Sequence, residues 1–185
     1  MASVRARLAS RNAHKLEELR AALPGWELEL LATDRPSPAE DGATYADNAR
    51  IKAAFGREQA QDCWVLGEDS GIEVAALGGR PGIASARWAE DGVAQLLAEL
   101  EGVRDRSARY VCELVALGPG GEERRGTGTL EGSIATGRRG EEGFGYDPIF
   151  VPVGEERTVA ELGDAWKRLH SHRARAAGAL RAALS

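Results

Sequence analysis

Two carboxylates stand side by side at Glu68 and Asp69, where a short apolar run, Trp64-Val65-Leu66, gives out at Gly67. Adjacent acids at the end of a buried strand are costly unless their charge is compensated. A divalent cation would do this. Carboxylate oxygens suit magnesium, which keeps several waters and shares its shell with substrate phosphates. Taken alone, the pair fits a solvated turn better, because Glu-Asp dipeptides are common. The lysines change that weight. Of 24 basic residues only Lys15, Lys52 and Lys167 are lysines. A chain that otherwise uses arginine keeps lysine where a compact ammonium does what a guanidinium cannot. Asparagine is rarer still, at Asn12 and Asn48, each three or four residues before a lysine. Chance in a chain rich in Ala, Gly and Arg is the competing explanation, but these pairings are the best internal clue to a site.

The elements that must position these residues follow from the pattern. Val4 to Ala9 reads as an alternating strand. Ser10-Arg11-Asn12 then opens a helix over Ala13–Leu23, with Leu16, Leu19 and Leu23 on one face and Ser10 or Asn12 as cap. Lys15 in the first turn opposes the helix dipole. A phosphate bound at that N-terminus would explain it, and an ordinary capped helix with a surface lysine fits equally well. Trp26, Leu28 and Leu30 mark a half-exposed strand, and 33–43 is a loop carrying Glu40 and Asp41. Thr44 and Asp47 form a capping box for a helix reaching about Ala60. On it Asn48 and Lys52 share a face beside small Ala49 and Ala53, either at a site or as a solvated stripe.

In the central stretch, Gly67 breaks the first run, Ser70-Gly71 signals a turn, and Ile72–Leu77 forms a second run. A short helix over Val93–Leu100 follows, then a hairpin of Arg109–Leu117 and Glu122–Leu130. Gly143-Phe144-Gly145-Tyr146-Asp147-Pro148 suits a backbone that approaches a ligand and presents a ring, or a tight turn before a strand Ile149–Val153. Ser171 reads as the N-cap of an alanine-rich helix anchored by Leu180 and Leu184. His172 and Arg173, near Lys167, are donors for the edge of a polar ring.

Composition sets the outer limits. At 185 residues, 43% hydrophobic and 29% charged, the chain reads as one ordinary globular domain, 1–185. A net charge of -5 leaves no basic footprint for a nucleic-acid duplex, and single-strand binding is the weakest option. No apolar run reaches membrane-span length. MASVRARLAS lacks the apolar segment of a secretory signal. Cys63 and Cys112 have no metal-like spacing and read as reduced thiols of a cytoplasmic protein.

Together these pieces resemble the inosine triphosphate pyrophosphatase family, over nearly the whole chain. The likeness rests on Ser10-x-Asn12-x-x-Lys15, on Glu40 followed by Asn48-Ala49 and Lys52-Ala53, and on Asp69-Ser70-Gly71 with Gly78-Gly79-x-Pro81-Gly82. It continues through Ser85-Ala86-Arg87, Gly143 to Pro148, and Lys167 with Ser171-His172-Arg173. All three lysines and both asparagines fall inside these motifs. The resemblance implies an elongated, two-lobed α/β fold around a long mixed β-sheet, with a cleft between the lobes, and a homodimer. It implies hydrolysis of ITP, dITP and XTP to the monophosphate and pyrophosphate with magnesium.

Carried onto this chain, substrate contacts are expected from Ser10, Arg11, Asn12, Ala13, His14, Lys15, Asn48, Lys52 and Ser70. Phe144, Gly145, Tyr146, Asp147, Lys167, His172 and Arg173 are expected around the base. Glu40, Asp69 and Glu68 are expected at the metal, with Asp69 also acting on the attacking water. Donors such as His172 or Arg173 would reward the 6-carbonyl of hypoxanthine or xanthine over the amine of adenine.

Four departures stand out. Ala84 replaces an aromatic, Glu68 replaces the commoner Asp, Trp166 stands where an acid is usual, and the segment after Arg87 is shortened. Two rival readings are a pyrimidine nucleotide pyrophosphatase and a nucleotide sensor without turnover. The Phe144 to Asp147 and Ser171 to Arg173 segments argue against the first, and the retained acids argue against the second.

Overall fold

The structure, a computed structural model, describes residues 3–184, so Met1, Ala2 and Ser185, with the reading of the extreme N-terminus, lie outside it. The chain is α/β, with one six-stranded mixed sheet in the order β2-β1-β3-β4-β5-β6. The strands are β1 (Val4–Leu8), β2 (Trp26–Leu30), β3 (Trp64–Val74), β4 (Ser107–Leu117), β5 (Glu123–Ile134) and β6 (Phe150–Pro152). The helices are α1 (Ala13–Ala22), α2 (Tyr45–Arg57), α3 (Gly92–Glu99), α4 (Val159–His170) and α5 (His172–Ala182). β1 pairs in parallel with both β2 and β3, and β5 with β6 is antiparallel.

The chain divides into two compact units. The first comprises 1–69, 112–128 and 173–185, and the second 70–111 and 129–172. In the first, Leu16, Leu19 and Leu23 of the α1 region pack with Leu8, Leu28, Leu66, Leu114 and Leu180. In the second, Ile72, Val74, Leu96, Leu130, Ile149 and Phe150 form the core, with Trp166 packed against it. The spacing of leucines that predicts α1 is the face that is buried.

The local signals work where partners are close in sequence. Asn12 rather than Ser10 caps α1, its Oδ1 accepting from the His14 and Lys15 amides at 2.9 and 3.3 Å. Thr44 and Asp47 make both bonds of a capping box at α2.

The central stretch differs from expectation. β3 runs unbroken through Gly67 and through the Ser70-Gly71 turn signal. Gly67 is there for contact, since a Cβ at this position would lie 1.9 Å from the Ala49 carbonyl oxygen of α2. The helix lies directly on the strand, and Ala49 and Ala53, both fully buried, let it do so. Gly67→Ala should therefore push backbone from backbone and cost about 3 kcal/mol. Thermal denaturation would read this as a fall of roughly 6–12 °C.

Val159–His170 also forms a helix, which the sequence analysis does not assign. Its start carries an ordinary signal, a second capping box between Thr158 and Glu161. The helix is interrupted at Gly163, where φ is 84°.

Candidate functional site

Each of the three lysines is paired with a buried acid. In the first unit, Lys52 reaches from α2 to Asp69 Oδ1 at 2.8 Å and to Glu40 Oε2 at 3.0 Å. The i, i+4 spacing puts Asn48 on the same face, where its Nδ2 donates to Asp69 Oδ2 at 3.3 Å. Its Oδ1 accepts from the Gly42 amide at 2.9 Å, which ties the loop before α2 to the site. Asn48 is fully buried, so the structure shows it holding Asp69 and the loop.

The electrostatics follow from this geometry. Burial raises the Asp69 pKa and the neighbouring Glu68 and Glu40 charges add to it; the opposing pull of Lys52 is not enough to restore the usual value. Burial also disfavours the Glu40 carboxylate, but Lys52 outweighs it and holds that group below the usual range. Burial works against the Lys52 ammonium as well, and Asp69, Glu68 and Glu40 overcome it and raise its pKa. Around the one ammonium, burial thus prevails at Asp69 and the ion pair prevails at Glu40.

Glu68, next in the strand, belongs to a different set of contacts. Its Oε2 lies 2.6 Å from Lys15 Nζ, and its Oε1 accepts from Arg173 Nε and Nη2 at 3.1 and 3.0 Å. Arg173 Nη1 also donates to Glu18 Oε2 at 2.6 Å. Full burial disfavours the Glu68 carboxylate, yet Lys15 and Arg173 drive its pKa well below the usual range. Burial pushes the Cys112 thiol up, with Glu68 adding to the effect. Both cysteines are free and buried.

The sequence reading put Arg173 beside His172 at a ring edge. The structure puts its guanidinium on Glu68 and Glu18 instead, because two carboxylates take its donors. No spacing rule links residues 68 and 173. Glu18 was missed for the same reason.

Ser10, Arg11, Lys15, Arg35, Glu40 and Lys52 line a pocket of about 160 Å³. Arg11 donates to the Arg35 carbonyl at 3.0 Å, and Ser10 Oγ accepts from the Asn12 amide at 3.1 Å. Arg35 was not foreseen. It lies in a loop, and its guanidinium stands 5.1 Å from the centre of the Phe55 ring. Ala13 and His14 are exposed at the start of α1.

Among the described residues no three His, Cys, Asp or Glu side chains converge as a ready-made metal cage. Glu40 and Asp69, meeting at one ammonium, are a partial oxygen set. Magnesium accepts such a set when substrate phosphates complete its shell, so the donors present fit that ion.

The second cluster lies wholly in the second unit. Asp147 Oδ2 accepts from Lys167 Nζ at 2.7 Å and from the Phe144 amide at 2.8 Å, and Oδ1 from Tyr110 at 3.2 Å. Lys167 Nζ sits 4.3 Å from the centre of the Phe144 ring, a cation–π contact. The His172 ring stacks on Tyr110 with centroids 4.5 Å apart. Gly143 lets Asp147 turn back onto the Phe144 amide, since its φ is 78° and a Cβ would lie 2.3 Å from Asp147 Oδ2. Gly145 completes this turn with a φ of 62°.

Tyr146 donates to the Ser85 carbonyl at 3.0 Å. Burial and nearby Asp91 push its pKa up to about 12, so it stays a donor. Ser70, the first residue of this unit, is half-buried in β3. Tyr110 was missed, because strand alternation gives its face but not its neighbours.

The Ham1 family model matches residues 6–183. The chain belongs to the Ham1 family. It is 44% identical over 184 residues to a dITP/XTP pyrophosphatase of Symbiobacterium thermophilum, covering 95% of this chain and 92% of that one. It is 46% identical over 154 residues to the dITP/XTP pyrophosphatase of Bdellovibrio bacteriovorus, covering 79% and 77% of the two chains. The Ham1 protein of Staphylococcus aureus has a similar fold, with a TM-score of 0.85, 36% identity and 97% of each chain covered. A Mycobacterium abscessus structure described as nucleoside-triphosphatase / dITP/XTP pyrophosphatase has a TM-score of 0.74 at 41% identity, covering 96% and 97%. This Ham1 chain therefore has the α/β class and mixed sheet of solved family structures. Among its described residues, no helix is long and apolar enough to cross a membrane.

Proposed function

We propose that this Ham1 protein hydrolyses the triphosphates of deaminated purines, ITP, dITP and XTP, to the monophosphate and pyrophosphate. The observation that carries the reading is the pairing of all three lysines with buried acids, two of them around one small polar pocket. A triphosphate brings several negative charges, and Lys15 and Lys52 are the groups to balance them. Glu40 and Asp69 would hold magnesium. That ion supplies charge stabilisation on the phosphoryl oxygens.

The attacking water forms the new bond to the α-phosphorus while the bond to the bridging oxygen breaks, and pyrophosphate leaves. Asp69 accepts the water proton, a role that the rise of its pKa on burial favours. Asn48 and Lys52 hold the Asp69 carboxylate in place. The Asp147 cluster takes the base, with Phe144 as the stacking ring and Lys167 and His172 as donors toward the 6-carbonyl. A site built on such bonds discriminates strongly against an amine. The protein works as a cytoplasmic homodimer in this reading.

Pyrophosphate release from ITP, XTP, GTP, ATP, dTTP and CTP, with magnesium and with chelator, tests the proposal. Magnesium-dependent turnover of ITP and XTP alone is expected. Preference for a pyrimidine or for ATP would remove the base assignment. Binding without turnover would make the protein a sensor.

A further inference from the structure

Glu68 has the composition of a metal ligand but not the surroundings of one. Its side chain is 0% exposed and both oxygens are engaged by cations. A magnesium ligand must approach the ion to about 2.0–2.1 Å. To provide that at Oε2, Glu68 would have to release the ammonium now 2.6 Å away.

What Glu68 does instead is visible on α1. Lys15 and Glu18 are three residues apart, so they share one face of the helix. Glu68 holds Lys15, Arg173 holds Glu68, and Arg173 also holds Glu18. Two cations and two anions form a series of three ion pairs whose two ends lie one turn apart on α1. A lysine carries a long flexible stem, and ordering it when a ligand binds costs affinity. An ammonium has three donors. The ion pair with Glu68 holds the nitrogen that carries them in one place.

We propose that Glu68 is a positioning residue, whose buried carboxylate anchors Lys15 in advance for phosphate rather than ligating the metal. This rests on the reading of Lys15 as a phosphate-binding lysine.

The test uses the full chain with Glu68→Gln, Glu68→Asp, Lys15→Met and the Glu68→Gln/Lys15→Met double variant. Tripolyphosphate binding is measured by calorimetry, and Mn2+ binding by titration of its electron paramagnetic resonance signal. Glu68→Gln should weaken tripolyphosphate about five- to tenfold, the cost of ordering a loose side chain, with Mn2+ affinity within about twofold of the parent. The double variant should bind tripolyphosphate no more weakly than Lys15→Met, because both changes remove one function. Glu68→Asp should restore most of the loss.

A fall of about tenfold or more in Mn2+ affinity for Glu68→Gln would make Glu68 a ligand and overturn the proposal. Additive losses in the double variant would also overturn it. If Lys15→Met leaves tripolyphosphate binding unchanged, the phosphate reading itself falls, and the proposal with it. Should Glu68→Gln not fold, Glu68→Asp carries the metal test. An anchor leaves Mn2+ affinity unchanged, whereas a ligand drawn back by one methylene lowers it.

Discussion

Asp69→Asn is expected to leave a folded protein that has lost about a thousandfold or more in kcat. The carboxylate takes two bonds, from Lys52 Nζ at 2.8 Å and Asn48 Nδ2 at 3.3 Å. An asparagine can still accept from Lys52, and Lys52 keeps Glu40 in any case. Its amide nitrogen would then face the Asn48 donor, a modest local loss. What disappears is a basic carboxylate. The Asp69 pKa is raised by burial and by two neighbouring acids, and a neutral amide cannot accept the proton of water. Turnover of ITP, measured with a thermal denaturation curve on the same sample, separates chemistry from folding. Near-parental turnover would remove Asp69 from the mechanism.

Arg173→Met should instead act on stability. Arg173 is 1% exposed and answers two acids, Glu68 and Glu18. Methionine fills much of the space but leaves Glu68 buried with Lys15 as its remaining ion-pair partner. Removing one member of a buried charge set costs about 3 kcal/mol, or roughly 6–12 °C in melting temperature.

The sign of the pH dependence is fixed by Glu68. Its folded pKa lies below the unfolded one, so it adds stability above the usual carboxylate range and loses it as pH falls through the folded value. The gap between parent and variant should therefore be full at neutral pH and close on acidification. A gap that does not change with pH would mean that packing, not charge, is what Arg173 supplies.

What could be read from the chain and what could not divides by distance along it. The caps at Asn12 and Thr44 were legible because each bonds to amides two or three residues on. Lys52 and Asn48 were legible as one face for the same reason. β3 was not, because glycine and two acids look like a strand's end. They continue it only because α2 approaches at Gly67 and cations from α1, α2 and residue 173 meet the acids. α4 was legible and overlooked, since Thr158 and Glu161 repeat the signal read at α2. Tyr110 beneath Asp147, and Arg173 on Glu68, are contacts 37 and 105 residues apart in sequence. Nothing in either segment records its partner. The family resemblance places Arg173 around the base and says nothing of Glu68 or Glu18.

The separation of 105 positions between Glu68 and Arg173 also orders events during synthesis. Both segments of the second unit, 70–111 and 129–172, are made before Arg173. An emerging chain thus carries a buried-type acid whose guanidinium partner does not yet exist. The first unit cannot complete its series of ion pairs while its first segment is the only part outside the ribosome, although that segment holds the chain's first 69 residues. The last unit to be finished is the one that was started first.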